Sequence, residues 1–197
     1  VFNSRGGLLG IVWSGRARVL GYNNFIMFNF FKKDKPVKEL TMDLVIGGQS
    51  VILKIFQDIF KESADDVKKK ELTYFALAVF SYVYLRLAQA PAQEKEILTD
   101  QVALDVLIQS LPHCGENIST KEAIPEYQKR YREYDVLIGA IFKKNGFDND
   151  ACVTLAMHLY ESAMGKSANQ KMIEMYAASP LIAQYVTDHI EFMKTKL

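Results

Sequence analysis

The chain has 197 residues, of which 24 are basic and 23 acidic, and its formal net charge at pH 7 is +1. This near-neutral balance argues against nucleic acid as the main partner, because binding to phosphates favours a net basic surface. The two cysteines, Cys114 and Cys152, are too few for a disulfide framework or a cysteine metal site. Two reduced thiols are typical of a cytoplasmic protein.

The composition of the chain changes at Met27. Residues 1–26 hold five of the eleven glycines and three of the six arginines, and they contain no Lys, Asp or Glu. Met27 and the residues after it are also typical of a natural bacterial N-terminus. We therefore expect residues 1–26 to be upstream read-through or a flexible leader, and residues 27–197 to form one helical-bundle domain. The alternative is that residues 1–26 form a short genuine N-terminal arm.

An aromatic and basic segment follows this composition change. It contains Phe28, Phe30 and Phe31, and then Lys32 and Lys33. Phenylalanines among the lipid headgroups and lysines against anionic lipid would give weak peripheral contact with the inner membrane. The alternative is that the phenylalanines dock onto the bundle. A single short segment gives only reversible membrane binding, so we expect no stable anchor from it alone.

The first helical pattern covers residues 38–61, where apolar side chains recur at intervals of three and four residues. Gly47 and Gly48 lie inside this pattern. Because glycine destabilises a helix interior, we expect the pair to divide the segment into a short helix and a longer one.

The longest charge-free stretch of the chain is Leu72–Leu85, which is rich in Tyr, Phe, Leu and Val. Ser63 begins a capping signature before it, so we expect a helix over residues 64–90 that ends before Pro91. The stretch is shorter than the ~20 residues that a bilayer span requires. A helix without charges must be covered by other helices, so we predict that it lies buried at the centre of a bundle.

The next two helices have recognisable ends. We predict one over residues 93–111, which Pro112 terminates. Ser119 and Glu122 have the spacing of a capping box and should begin the following helix. Gly146 should close that helix, because glycine readily adopts the left-handed conformation found at helix C-termini.

The C-terminal part of the chain predicts further helices. Asn149 should cap one that Gly165 ends, and Ser179-Pro180 should separate a helix over residues 168–178 from a last one over 180–195. No segment predicts a convincing strand. We therefore expect an all-α fold, an antiparallel bundle of six to seven helices around the buried central helix at about 64–90.

Three tyrosines recur at helical spacing after Ser119. They are Tyr127, Tyr131 and Tyr134, and Arg130 lies among them. Tyrosine and arginine are frequent at binding hot spots, so the stripe is a candidate contact for a partner or a ligand. Packing alone predicts the same spacing, and the alternative is a core-facing stripe beside a charged face.

His158 and Glu161 lie three residues apart and therefore share a helix face. Such a pair could bind a metal, or serve as a base and the group that orients it. A di-iron site needs two Glu-x-x-His motifs and two further glutamates, and a zinc protease needs His-Glu-x-x-His. Since the sequence contains neither, we expect no metal and no cofactor, and we retain the pair as a candidate ligand contact.

These patterns predict a non-enzymatic bacterial protein of the adaptor or regulatory type that acts through protein–protein interaction. We expect it in the cytoplasm, with peripheral contact at the inner membrane and self-association both left open. The alternative is a small-ligand-binding or enzymatic bundle, in which tyrosine hydroxyls, His158, Glu161 and His189 line a polar pocket. Convergence of these groups around one cavity would favour the alternative.

Overall fold

The computed structural model describes residues 37–87, 92–114, 119–143 and 146–195. The predicted leader at residues 1–26 and the aromatic and basic segment at residues 28–33 lie outside these ranges. Within them no helix combines the length and the hydropathy needed to cross a bilayer.

The described residues form six α-helices, which confirms the all-α prediction. The helices are α1 (Val37–Asp58), α2 (Lys69–Leu87), α3 (Ala92–Ser110), α4 (Thr120–Ala140), α5 (Asn149–Met164) and α6 (Met172–Lys194). Two short 3₁₀ turns cover Leu111–Cys114 and Ala168–Lys171.

The α2 helix is the centre of the fold, as its charge-free sequence predicts. All fourteen residues from Glu71 to Tyr84 are buried. The helix contacts each of the other five helices, so no side of it faces water over this length. Burial of each large apolar side chain stabilises the fold by roughly 1.5–3 kcal/mol, so α2 contributes strongly to the stability of the core.

The central helix was expected to start at residue 64, and this prediction is wrong by more than one helical turn. The helix begins at Lys69, and Ser63 instead closes a local turn by accepting hydrogen bonds from the backbone N–H groups of Asp65 and Asp66. The chain then reaches across to α5, where the Lys68 N–H donates to the Ala163 carbonyl at 3.0 Å. This tertiary hydrogen bond takes the place of helical pairing ahead of Lys69.

The expected break at Gly47 and Gly48 is also wrong, because α1 runs through both residues. A Cβ atom on Gly48 would lie 2.1 Å from the hydroxyl oxygen of Tyr185 in α6. Gly48 is therefore required for the close approach of a large side chain to the backbone, and it does not mark a helix end.

Helix ends that depend on local hydrogen bonds agree better with the sequence. The Glu122 carboxylate accepts from the Ser119 N–H at 3.3 Å, as a capping box predicts. Gly165 ends α5 in the left-handed conformation with φ of 65°. The α5 cap is Asp148 and not Asn149, and its carboxylate accepts from the N–H groups of the next helical turn.

Two features after Ala140 differ from the prediction. The chain does not close α4 at Gly146 but forms a two-residue antiparallel ribbon, Phe142–Lys143 with Gly146–Phe147. The expected division of the last helix is wrong, because α6 is continuous through Pro180. In a regular helix the N–H of residue 180 would donate to the Tyr176 carbonyl, but proline has no N–H. The Ser179 hydroxyl donates to this carbonyl instead.

We expect Gly48→Ala to lower the free energy of unfolding by about 1–3 kcal/mol, because the added methyl group would overlap the Tyr185 hydroxyl. Gly→Ala in an uncrowded helix interior has the opposite sign and stabilises by about 0.5–1 kcal/mol. Gly139→Ala in α4 is the matched control, since its Cβ would lie 3.8 Å from Tyr82.

Equilibrium urea denaturation followed by circular dichroism measures both effects. Adding Tyr185→Phe to Gly48→Ala removes the overlapping oxygen and should restore most of the lost stability. If Gly48→Ala and Gly139→Ala shift the denaturation midpoint in the same direction, the close contact is not the reason for Gly48.

Candidate functional site

A buried carboxylate lies at the start of the central helix. The side chain of Glu71 is 2% exposed, and Arg130 of α4 binds it through Nε at 3.0 Å and Nη2 at 3.4 Å. Burial raises the pKa of the Glu71 carboxyl, while the charge and hydrogen bonds of Arg130 oppose the rise. This two-point pairing fixes α4 against α2.

The ion pair extends outward through α4 to α5. Arg130 Nη1 donates to Glu133 Oε2 at 2.8 Å, and His158 Nε2 lies 3.3 Å from the same oxygen, without the alignment of a hydrogen bond. Burial would raise the pKa of Glu133, but Arg130 outweighs it and lowers the pKa. Burial lowers the pKa of His158 despite the nearby Glu133, which favours the neutral imidazole.

Five rings in successive contact continue from this network through the core. His158 meets Tyr134 at a centroid distance of 5.2 Å, and Tyr134 meets Phe75 at 5.1 Å. Phe75 then lies 5.9 Å from Tyr185, whose ring is 4.4 Å from His189. The series joins side chains of α5, α4, α2 and α6, and each edge-to-face contact adds packing energy.

The two tyrosines of this series place hydroxyl groups in the core. The Tyr134 and Tyr185 oxygens are buried and have no hydrogen-bond partner of ordinary geometry among the described residues, although Ser162 lies near Tyr134. Burial raises the pKa of both hydroxyls, so both remain protonated. Unpaired buried hydroxyls destabilise a fold, and in native proteins they often indicate an internal water or a ligand contact.

The tyrosine stripe of α4 turns mainly inward. Tyr127 and Tyr134 are buried, and the Tyr127 hydroxyl lies 3.5 Å from the Ser81 hydroxyl of α2. Tyr131 is half-buried, and its ring lies 6.2 Å from that of Tyr127. Arg130 is occupied by its two carboxylate partners. A binding partner could therefore reach only the edge of this predicted contact.

His158 and Glu161 do not form one site. His158 turns to Glu133, whereas the Glu161 carboxylate accepts from the Ala168 N–H at 2.9 Å and holds the 3₁₀ turn before α6. No group of three or more His, Cys, Asp or Glu side chains in the described ranges has a metal-binding arrangement. His189 is buried in the core and contacts the Tyr185 carbonyl through Nδ1 at 3.0 Å.

The structure reveals a surface on α6 that the sequence interpretation missed. Ile173 is 85% exposed and Tyr176 60%, and they are the only two of the five exposed large apolar residues described that share a helix. The partly exposed positions that follow them are also uncharged as far as Thr187. We define the α6 outer face as Ile173, Tyr176, Ala177, Pro180, Leu181 and Gln184.

A charge-free run in the sequence could have indicated this surface. No charged residue lies between Glu174 and Asp188. An exposed helix side normally carries charges, as the exposed positions Glu122, Lys129 and Arg132 of α4 illustrate. Apolar residues exposed together on one helix indicate a contact surface more strongly than single ones do.

Comparison of the chain with protein-family models, with curated proteins and with solved structures gives no match. The function is therefore argued from the side chains of this protein.

We expect Arg130→Met to lower the free energy of unfolding by about 3–5 kcal/mol at pH 7, because it leaves the Glu71 carboxylate buried without its cation. The double variant Glu71→Leu/Arg130→Met should recover most of this loss, since it removes both charges. Arg132→Met is the control on the exposed side of α4 and should change stability by less than about 0.5 kcal/mol. Urea denaturation of the three variants checks the pairing, and a double variant as unstable as Arg130→Met would contradict it.

We also expect stability to decrease as the pH falls from about 6.5 towards 4. Burial lowers the pKa of His189 from 6.5 to about 4, so the unfolded chain takes up this proton at a higher pH than the folded one. The loss attributable to His189 should reach about 2 kcal/mol at pH 5 and level off below pH 4.

Comparison with His189→Leu isolates this contribution, because the other titrating groups are the same in both proteins. Denaturation at several pH values should show the free energy of unfolding of the wild type decreasing relative to that of His189→Leu as the pH falls. If the free energies of unfolding of wild type and His189→Leu change in parallel with pH, His189 is not buried as a neutral imidazole.

Proposed function

We propose that this protein is a non-enzymatic bacterial adaptor or regulator that binds another protein through the α6 outer face. The observation that carries the proposal is the joint exposure of Ile173 and Tyr176 on a helix that has no charged residue between Glu174 and Asp188. Charged residues are depleted and tyrosines enriched at the centres of protein interfaces. Burying these two side chains against a partner removes apolar area from water and favours association.

The arrangement of the polar groups inside the bundle is consistent with this proposal. Glu71 and Glu133 share Arg130, and Glu161 caps a turn, so these carboxylates have structural roles. The two cysteines are buried and do not form a disulfide, which is consistent with the reducing cytoplasm as the site of action. Burial raises the pKa of Cys152 to about 11, which disfavours the nucleophilic thiolate.

A second candidate function is binding of a small polar ligand in the core. The observation that favours it is the pair of buried hydroxyls on Tyr134 and Tyr185. If a ligand uses these oxygens, Tyr185→Phe should destabilise the protein as purified from its source. If the hydroxyl is only a packing feature, Tyr185→Phe should be neutral or stabilising, because it removes an unpaired polar group.

We expect a photoreactive benzoylphenylalanine in place of Tyr176 to crosslink one discrete protein in cells of the source organism. The same probe in place of Val136, an isolated apolar residue of α4 that is 70% exposed, is the matched control and should give no such product. Ile173→Lys on the probe-bearing chain should suppress the crosslink, because it places a charge in the contact. Gel electrophoresis and mass spectrometry detect and identify the product. Equal labelling from both positions, or no product from position 176, would contradict the proposal.

A further inference from the structure

We propose that His158 is a proton-operated link between α5 and α4. When its imidazole takes up one proton, the Nε2–H group donates a hydrogen bond to the Glu133 carboxylate and joins α5 to the ion pair of Arg130 and Glu71. The proposal goes beyond the proposed function, because it concerns the contact between α4 and α5 and does not involve the α6 outer face.

The ion-pair network at this contact holds two carboxylates and one cation. Glu71 and Glu133 both bind the single guanidinium of Arg130. Water screens the excess negative charge poorly, because the side chain of Glu71 is 2% exposed and that of Arg130 is 22% exposed. A proton on His158 would balance the charges and make them alternate in sign from α2 to α5. Hydrogen bonds between ionised groups are about twice as strong as those between neutral ones.

The position of the imidazole suits a donor to Glu133. His158 Nε2 lies 3.3 Å from Glu133 Oε2, and this nitrogen is buried without a hydrogen-bond partner in the described ranges. The Tyr134 ring packs edge-to-face against the imidazole and holds it at this contact. A small rotation of the imidazole would therefore align the new donor with the carboxylate.

The acceptor keeps its negative charge when His158 takes up the proton. Although burial alone would raise the pKa of Glu133, Arg130 keeps that pKa below its ordinary value. The carboxylate therefore stays ionised over the pH range in which an imidazole titrates.

The charged groups that act on this contact come from four helices. They are Glu71 of α2, Lys129, Arg130 and Glu133 of α4, Glu161 of α5 itself, and Glu174 of α6, which acts on Tyr160 of α5. Burial lowers the pKa of His158 most and Arg130 lowers it further, whereas Glu133 and Glu161 oppose them. Since the pKa lies below its ordinary value of 6.5, we expect a neutral ring at pH 7 and the link at lower pH. The unfolded chain binds this proton more readily, so acid still lowers stability, and Glu133 reduces the loss.

NMR titration of the purified full chain tests which carboxylate acts on His158. The ring signals can be assigned by their loss in His158→Gln, and their midpoint should lie below 6.5. Glu133→Gln should lower the proton affinity of His158 by about threefold or more. Glu161→Gln is the matched control on α5 and should have a smaller effect, because the Ala168 N–H already occupies that carboxylate. Equal effects of the two variants, or no effect of Glu133→Gln, would overturn the link.

A double-mutant cycle tests whether the proton joins the two helices. Urea denaturation of the wild type, Glu133→Gln, His158→Leu and the double variant gives the coupling between the two side chains. About one pH unit below the measured midpoint, the coupling should favour folding by about fivefold or more, and about two units above it the coupling should be close to zero.

Every other result of the cycle overturns the inference. Coupling of equal size at both pH values would show a contact that needs no proton, and coupling at neither pH would show no contact. A chain that loses its helical circular dichroism signal before His158 titrates would likewise have no proton-operated link in its folded state.

Discussion

Complete burial of the α2 helix is the constraint on which the rest of the fold depends. A helix with fourteen consecutive buried residues needs a neighbour on every side, and the other five helices supply them. Four polar side chains of α2 find partners on other helices, because water cannot reach them. The pairs that result are Glu71 with Arg130, Tyr74 with Glu126, Thr73 with Gln49 and Ser81 with Tyr127.

These polar pairs determine how α4 is rotated against the core. Glu126, Tyr127 and Arg130 all reach α2, so the side of α4 that bears them must face inward. Tyr134 lies one turn beyond Arg130 and is carried into the core by the same rotation. The tyrosines of α4 therefore face inward because the buried polar groups of α2 pair with the same side of α4. Hydrophobic spacing alone could not have decided between a buried stripe and a binding surface, since both have the same period.

Local signals in the sequence predicted what local forces determine. The capping box at Ser119 and the end of α5 at Gly165 both depend on groups within a few residues, and the structure confirms both of them. The errors at Ser63 and Gly48 have a different cause, because contacts with distant helices decide the structure at both places. Ser63 is overridden by the hydrogen bond from Lys68 to α5, and Gly48 serves a tyrosine of α6.

The charged network shows the same limit of sequence reasoning. Arg130, Tyr134 and His158 were recognised as candidates, and the structure brings them together. Their connecting groups, Glu71 and Glu133, belong to different helices, and no spacing rule relates Glu71 to Arg130 across 59 positions of the chain. The periodicity of the sequence cannot reveal residues that become neighbours only through tertiary packing. The α6 outer face differs from the charged network in this respect, because its charge-free run can be read directly from the sequence.

The contrast between α2 and α6 carries the functional argument. Both helices have long runs without charge, fourteen residues in α2 and thirteen between Glu174 and Asp188. Five helices cover α2, whereas α6 packs on α5, α2 and α1 and leaves Ile173 and Tyr176 exposed to water. Other helices cover the charge-free run of α2 on every side, whereas no described helix covers the outer side of the charge-free run of α6. Covering that side requires atoms from outside the described bundle, and a bound protein would supply them.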